Sequence, residues 1–240
     1  MSVEGGTDWI AQAIMAGSLV AITDGSYIRQ IYPQLCLAAF VLECAHSRGQ
    51  LIGLFKEASK AANAYRGELL GLMAIHLILV SVNWVHKSLC GNVQLVSDCL
   101  GALQWVTYLP PYRTPSRCKH SDILKNILVN CRDLTFSVHY SHIKAHQDDT
   151  TAFDKLSRKL QLNCICNHLA KQCLSDGVIE PKGGSQLFPL EPIGIFMGAE
   201  KLLSETGPLL QFHAHCQLAR SLFHWKKILS HNEFDKVDWE

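Results

Sequence analysis

The 240-residue chain is 48% hydrophobic and 18% charged. This is a globular composition, not a disordered one, and the length suffices for one good core with an extension to spare. A net charge of +1 and a pI near 7.6 exclude a global basic field, so any grip on nucleic acid has to come from local clusters. Ten cysteines accompany an N-terminus, Met1-Ser2-Val3-Glu4, in which no basic stretch leads into an apolar one. No secretory signal is read, so the thiols are expected to be reduced and the protein intracellular.

Residues 8–16 are a short helical candidate. Ser18 to Asp24 is an apolar run that stops on an acid and turns on Gly25, the pattern of a strand. Leu35–Cys44 and Leu51–Lys56 follow as strands, with Ser47-Arg48-Gly49 as the turn between them, and sequential strands so joined pair antiparallel. From Asn63 to Val82 apolar residues recur at helical spacing, with Glu68 one turn inside the start. The longest apolar run, Leu69 to Val85, is broken by His76, Ser81 and Asn83 and reads as a buried helix; no membrane association is expected.

Val93–Ser97 is a further strand, and it stops on Asp98. Helices at 99–107 and 121–131 are joined by a Pro-broken basic connection that holds Arg113, Arg117 and Lys119. A strand over 134–143, a polar loop with His146, Asp148 and Asp149, and a helix over 161–175 complete a main domain of 18–176, after an N-terminal segment of 1–17. Three antiparallel strands followed by alternating helix and strand predict an α/β fold, a mixed five-stranded sheet with helices on its faces. The Gly/Pro break at 177–184 sets off an extension, 177–240, with one strand of a small hairpin at 187–196 and a helix at 208–230.

Asp24 and Asp98 both end strands, and Glu68 is on a helix facing them. Three carboxylates brought to one point repel each other unless cations bind, and hard oxygen ligands of this kind suit magnesium or manganese. Two such ions about 4 Å apart activate water and stabilise the leaving oxygen of a phosphodiester. A plainer reading makes each acid a solvated strand end or a cap, and Glu68 in a first helical turn gains from the helix dipole. Spacing alone leaves both open.

Thr23-Asp24-Gly25-Ser26, Tyr65-Arg66-Gly67-Glu68-Leu69, Val96-Ser97-Asp98 and His142-Ile143-Lys144-Ala145-His146 together resemble the motifs of ribonuclease H, in that family's order and on the expected elements. Cys166-Asn167-His168-Leu169-Ala170 stands at the place of the fourth motif. The resemblance spans about 18–176 and is greatest to the ribonuclease H segment of retroelement reverse transcriptases. Phe234-Asp235-Lys236-Val237-Asp238-Trp239 is similar to the continuation of such reading frames. The resemblance implies a ribonuclease H-like (type 1) fold and cleavage of the RNA strand of an RNA–DNA hybrid with two Mg2+ or Mn2+ ions. It implies that Asp24 bridges both ions and that Glu68 and Asp98 each hold one and position the RNA phosphate. His146 would assist leaving-group protonation or product release, and Gly25 and Ser26 would lie against the RNA strand, where 2′-hydroxyls mark it as RNA.

The departures matter as much. The family's fourth metal ligand is an aspartate, and Asn167 stands in its place. An amide oxygen coordinates without bringing charge, so the ion on that side is expected to be held more weakly and cleavage to be reduced or absent. The alternative function is an inactive nucleic-acid-binding module of the same fold, or a decaying retroelement fragment. Asp148 or Asp149 is a second source for the missing charge. Ala64-Tyr65 stands where well-studied members carry asparagines that touch the hybrid's minor groove; Tyr65 either stacks there or packs inside.

Arg113, Arg117 and Lys119, with Tyr112 and His120 among them, occupy the connection where some members insert a basic handle, and are candidate phosphate contacts or a solvated loop. Lys155, Arg158 and Lys159 form a second such cluster expected beside the site. No Tyr-x-Asp-Asp polymerase segment is present, so a reverse transcriptase would be a separate or missing partner. Cys164, Cys166 and His168 invite a zinc reading, but only Cys164 and His168 share a helix face and no second pair completes four ligands; buried thiols are expected.

Overall fold

A computed structural model describes residues 6–108, 118–175, 187–191, 194, 196–197, 200–201, 203 and 206–236. Strands β1 (Leu19–Ser26), β2 (Leu35–Cys44) and β3 (Gln50–Ala58) pair antiparallel in succession. Strands β4 (Asn92–Ser97) and β5 (Ser137–His142) then add in parallel on the other side of β1, giving the order β3-β2-β1-β4-β5. This is the mixed five-stranded sheet that the sequence predicts.

Alternation along β2 shows how the sheet is buried. Cys36, Ala38, Phe40 and Leu42 face one core, whereas Leu35, Leu37, Ala39 and Val41 face another. A strand covered on both faces needs apolar residues at every position, which is why β2 reads as one continuous run. The first core is closed by α1 (Asp8–Met15), α2 (Ala64–Val85), α3 (Leu100–Tyr108) and α4 (Ser121–Arg132), the second by α5 (Arg158–Ser175). Asn63 caps α2, its side-chain oxygen accepting the Arg66 N–H at 2.8 Å. By length and composition α2 could cross a membrane, yet most of its apolar stretch is buried inside the protein.

Glycines set how closely α2 approaches β1. A Cβ on Gly71 would overlap Thr23 Oγ1, and one on Gly25 would fall 2.5 Å from the Glu68 nitrogen. Gly25 is therefore not the turn residue that the sequence suggests. β1 runs on through Asp24, Gly25 and Ser26, paired with Ala39, Ala38 and Leu37; the glycine is needed for contact with the helix, not for a change of direction.

Beyond α5 the described residues hold a two-stranded sheet, β6 (Phe196–Met197) with β7 (Glu200–Lys201), then helices α6 (Thr206–Trp225) and α7 (His231–Phe234). Residues 187–191, expected within a strand, form a turn instead, because Phe188 enters the main core and so holds the chain away from any strand partner. Lys201 is buried against Glu191 at 2.6 Å and lies 3.6 Å from Asp122 of α4. Asn126 of α4 donates to the Pro189 carbonyl at 3.1 Å.

Candidate active site

Because β1 and β4 run parallel as neighbours, Asp24 and Asp98 emerge at the same end of the sheet. After Ser97 the chain turns at once, with the Ser97 hydroxyl accepting the Cys99 N–H at 3.0 Å. Glu68 reaches the same point from the first turns of α2. One carboxylate oxygen from each of Asp24, Glu68 and Asp98 lies within 4.8 Å of the other two. Among the described residues no other group of three His, Cys, Asp or Glu ligand atoms comes so close together. Glu68 Oε1 accepts the Gly25 N–H at 3.0 Å, while its Oε2 is buried with no hydrogen-bond partner.

Burial, more than crowding, raises two of these acids. Burial, followed by the charge of Asp98, pushes Asp24 up to about 7, against the pull of hydrogen bonds from Glu68 and Gly25 and of the Lys171 charge. Burial, then the charges of Asp24 and Asp98, hold Glu68 well above the usual carboxylate range. Both shifts favour the protonated forms of Asp24 and Glu68, and a cation at this point would oppose them. Three carboxylates offering hard oxygens within 4.8 Å of one another, with a buried and unpaired oxygen on Glu68, fit a divalent cation such as Mg2+ or Mn2+.

Helix α5 brings Asn163, Asn167 and Lys171 to this group at intervals of four residues, hence along one stripe. Asn163 is 4% exposed; its Nδ2 lies 3.5 Å from Asp98 Oδ2, and its Oδ1 is buried without a partner. Lys171 is near enough to Asp24 for its charge to act there. Asn167 is half-buried between them, with no side-chain hydrogen bond among the described residues. Neither Asn163 nor Lys171 stands in a motif that the sequence singles out. His142 opens a quoted motif but received no role there: its Nε2–H donates to the Asp98 carbonyl at 3.0 Å, tying the end of β5 to the end of β4.

The remaining candidates divide. His146 is exposed, with a left-handed backbone (φ 53°), at the head of a short 3-10 turn over Gln147–Asp149. Asp148 and Asp149 on that turn are exposed too, and Asp148 acts on Cys164, whose thiol burial and then Asp148 push up. Cys166 is buried with its thiol directed at the Ile22 carbonyl, 3.7 Å away. Ser26 is buried, and the Gly25 N–H is committed to Glu68.

Tyr65 packs against the main core with its ring 5.9 Å from that of His120 and its hydroxyl buried and unpaired; burial, then Cys99 and Cys118, push it up to about 12. Lys119 is exposed, whereas Arg113 and Arg117 fall outside the described residues. Arg158 binds Glu43 at 2.6 and 2.8 Å. Glu43 pairs with Val20, about 13 Å along β1 from Asp24 at the rise of an extended strand, so this cation serves the far end of the sheet.

Sequence reasoning also missed Arg66, although it lies inside a quoted motif. Its wholly buried guanidinium binds Glu57 at 2.5 and 2.6 Å and Asp122 at 2.8 and 3.1 Å. Two residues ahead of Glu68, it fixes the first turn of α2 between β3 and α4.

Neither a protein-family model nor a curated protein sequence matches the chain. Solved structures similar in fold include RNase H1 from the halophilic archaeon Halobacterium salinarum, at 16% identity over 66% of this chain and 98% of that one, TM-score 0.41. They also include LC11-RNase H1 in complex with an RNA/DNA hybrid, at 10% identity over 66% and 97%, TM-score 0.45. A third is the foamy viral protease-reverse transcriptase in complex with dsDNA, at 18% identity over 66% and 95%, TM-score 0.41. At these identities the likeness concerns the fold alone.

Proposed function

We propose that the chain is a metal-dependent endonuclease of ribonuclease H type, of retroelement descent, that cuts the RNA strand of RNA–DNA hybrids. The observation that carries this reading is the meeting of Asp24, Glu68 and Asp98, from three separate elements, within 4.8 Å. These three residues would hold the divalent ions, two in a working site. Such ions, when bound, supply an activated water and charge for the leaving oxygen.

The chain's own residues do the positioning. The Gly25 N–H orients Glu68, and His142 steadies the peptide that carries Asp98. His146, free of partners among the described residues and exposed on its loop, would hand a proton to the leaving group. Lys119, with Arg113 and Arg117, would meet backbone phosphates. A reverse-transcriptase domain is the partner that the descent implies.

A second reading, a hybrid-binding module without cleavage, is favoured by one observation: the α5 stripe offers two amides and a lysine but no carboxylate. Cleavage of a labelled RNA–DNA hybrid in Mg2+ or Mn2+ separates the two. The chain should cut slowly, Asp24→Asn not at all, and Asn167→Asp at least tenfold faster, the lower end of what one interaction made in a metal shell contributes. Hybrid binding with no cleavage by any of the three establishes the second reading.

A further inference from the structure

We infer that Asn163, one turn before the position that resembles the fourth metal ligand, supplies the α5 ligand of the metal site, its amide oxygen completing the set formed by Asp24, Glu68 and Asp98. The inference rests on the metal-site reading above and adds a residue to it.

Two buried oxygens at this site lack hydrogen-bond partners, Glu68 Oε2 and Asn163 Oδ1. Buried polar atoms are normally paired, so each such atom calls for an account. Asn163 Oδ1 is an acceptor with nothing to accept from, and Glu68 Oε2 has no donor beside it, both on side chains that meet the same acid group. A cation at the acid group is a partner for Glu68 Oε2, and for Asn163 Oδ1 once the amide turns over. The amide of Asn163 faces Asp98 across 3.5 Å through its nitrogen, the right orientation towards a bare carboxylate.

The nitrogen and oxygen of an asparagine exchange places by a half-turn of the terminal torsion. With a cation beside Asp98, that half-turn brings the oxygen inward. Asn163 thus serves the acid group in both conditions, a donor to Asp98 without the ion and a ligand with it. Asn167 makes no hydrogen bond that would tie it to any of the three acids. Lys171, at the other end of the stripe, brings a charge that competes with a cation near Asp24, which leaves the Asn163 end of α5 as the side open to the ion.

The test is calorimetric titration of the full chain with Mn2+, with folding of each variant checked by circular dichroism. Asp24→Asn should abolish binding. Asn163→Ala and Asn163→Ser should weaken it at least tenfold, more than Asn167→Ala does. Asn163→Asp, which keeps the side chain's shape, should tighten it about tenfold by adding charge. Wild-type affinity in folded Asn163→Ala or Asn163→Ser, with Asp24→Asn inactive in binding, overturns the assignment of Asn163 and leaves the acid site standing. So does an equal or larger loss in Asn167→Ala, or an unchanged affinity in Asn163→Asp. Wild-type affinity in Asp24→Asn removes the metal-site reading itself, and the inference with it.

Discussion

Gly25→Ala is the sharpest single perturbation of the site. An added Cβ would sit 2.5 Å from the Glu68 nitrogen, 2.6 Å from the Gly67 carbonyl carbon and 2.9 Å from Glu68 Oε1. Ordinary contact begins at 3.4 Å, so the first turn of α2 has to retreat by the difference, 3.4 − 2.5 = 0.9 Å. Two of the three atoms are backbone, and Arg66 pins that turn to Glu57 and Asp122. Overpacking of this kind costs about 1–3 kcal/mol. Glu68 would move with the helix, and a misplacement of about 1 Å at a reacting centre costs on the order of 100-fold in rate.

Gly67→Ala is the matched control. Its Cβ would lie 3.2 Å from the Leu37 oxygen and 3.4 Å from the Ser26 nitrogen, so a small adjustment suffices, and the gain in helix propensity of up to about 1 kcal/mol offsets it. Urea unfolding should therefore separate the two variants by at least about 1 kcal/mol, and Mn2+ titration should show a loss only for Gly25→Ala. Equal stability and equal Mn2+ affinity for Gly25→Ala and wild type would refute the claim that close approach of α2 to β1 builds the site.

Arg66→Met leaves Glu57 and Asp122 buried without their guanidinium and should cost about 3–5 kcal/mol in urea unfolding. Lys201→Met, which removes the cation beside Glu191, should cost about 1–3 kcal/mol and open residues 187–191 to limited proteolysis; an unchanged digest would mean that these residues are not held by this contact. Burial, then the charges of Arg66 and Lys119, push His120 down to about 4. An unfolded histidine takes up its proton near pH 6.5, so between about 6.5 and 4 the unfolded chain binds more protons, and stability falls as pH drops through that window by at most about 3 kcal/mol. His120→Gln should lack this part of the slope when urea midpoints are compared at pH 7 and pH 4.5. Mn2+ at 100 times its dissociation constant should stabilise the wild-type chain by about 2.7 kcal/mol in thermal or urea unfolding and leave Asp24→Asn unmoved.

The sheet was legible because burial on two faces leaves a direct record in sequence. β2 could carry Leu35 to Val41 without a charge only if both sides were covered, and the run announces that. Gly25 was misread for a physical reason: a glycine that frees the backbone for a turn and one that clears room for a neighbouring helix are the same residue, and only the partner at 2.5 Å distinguishes them. Of the strand expected at 187–196, residues 187–191 form a turn and Phe196 opens β6. Phe188 is apolar because it enters the main core beside Lys201 and Arg66, not because it alternates in a ladder.

The meeting of the three acids was legible for a different reason, since each stands near the end of an element whose direction the sequence already indicates. The contribution of α5 was not. Asn163, Asn167 and Lys171 share one stripe, and a step of one turn along it is about 5.4 Å, larger than the separation of the acids themselves. Which of the three meets Asp98 depends on how far the helix has travelled along the sheet when it passes β4. That offset is set by Leu162, Cys166 and Ala170, which seat α5 in the second core against Ile22 and Val96, with the Cys166 thiol against the Ile22 carbonyl. A motif aligned on residue order carries no term for that seating. In this chain the seating puts Asn163 against Asp98, so an aspartate introduced at 163 and one introduced at 167 add the same charge at different ends of the acid group and should differ in their effect on Mn2+ affinity.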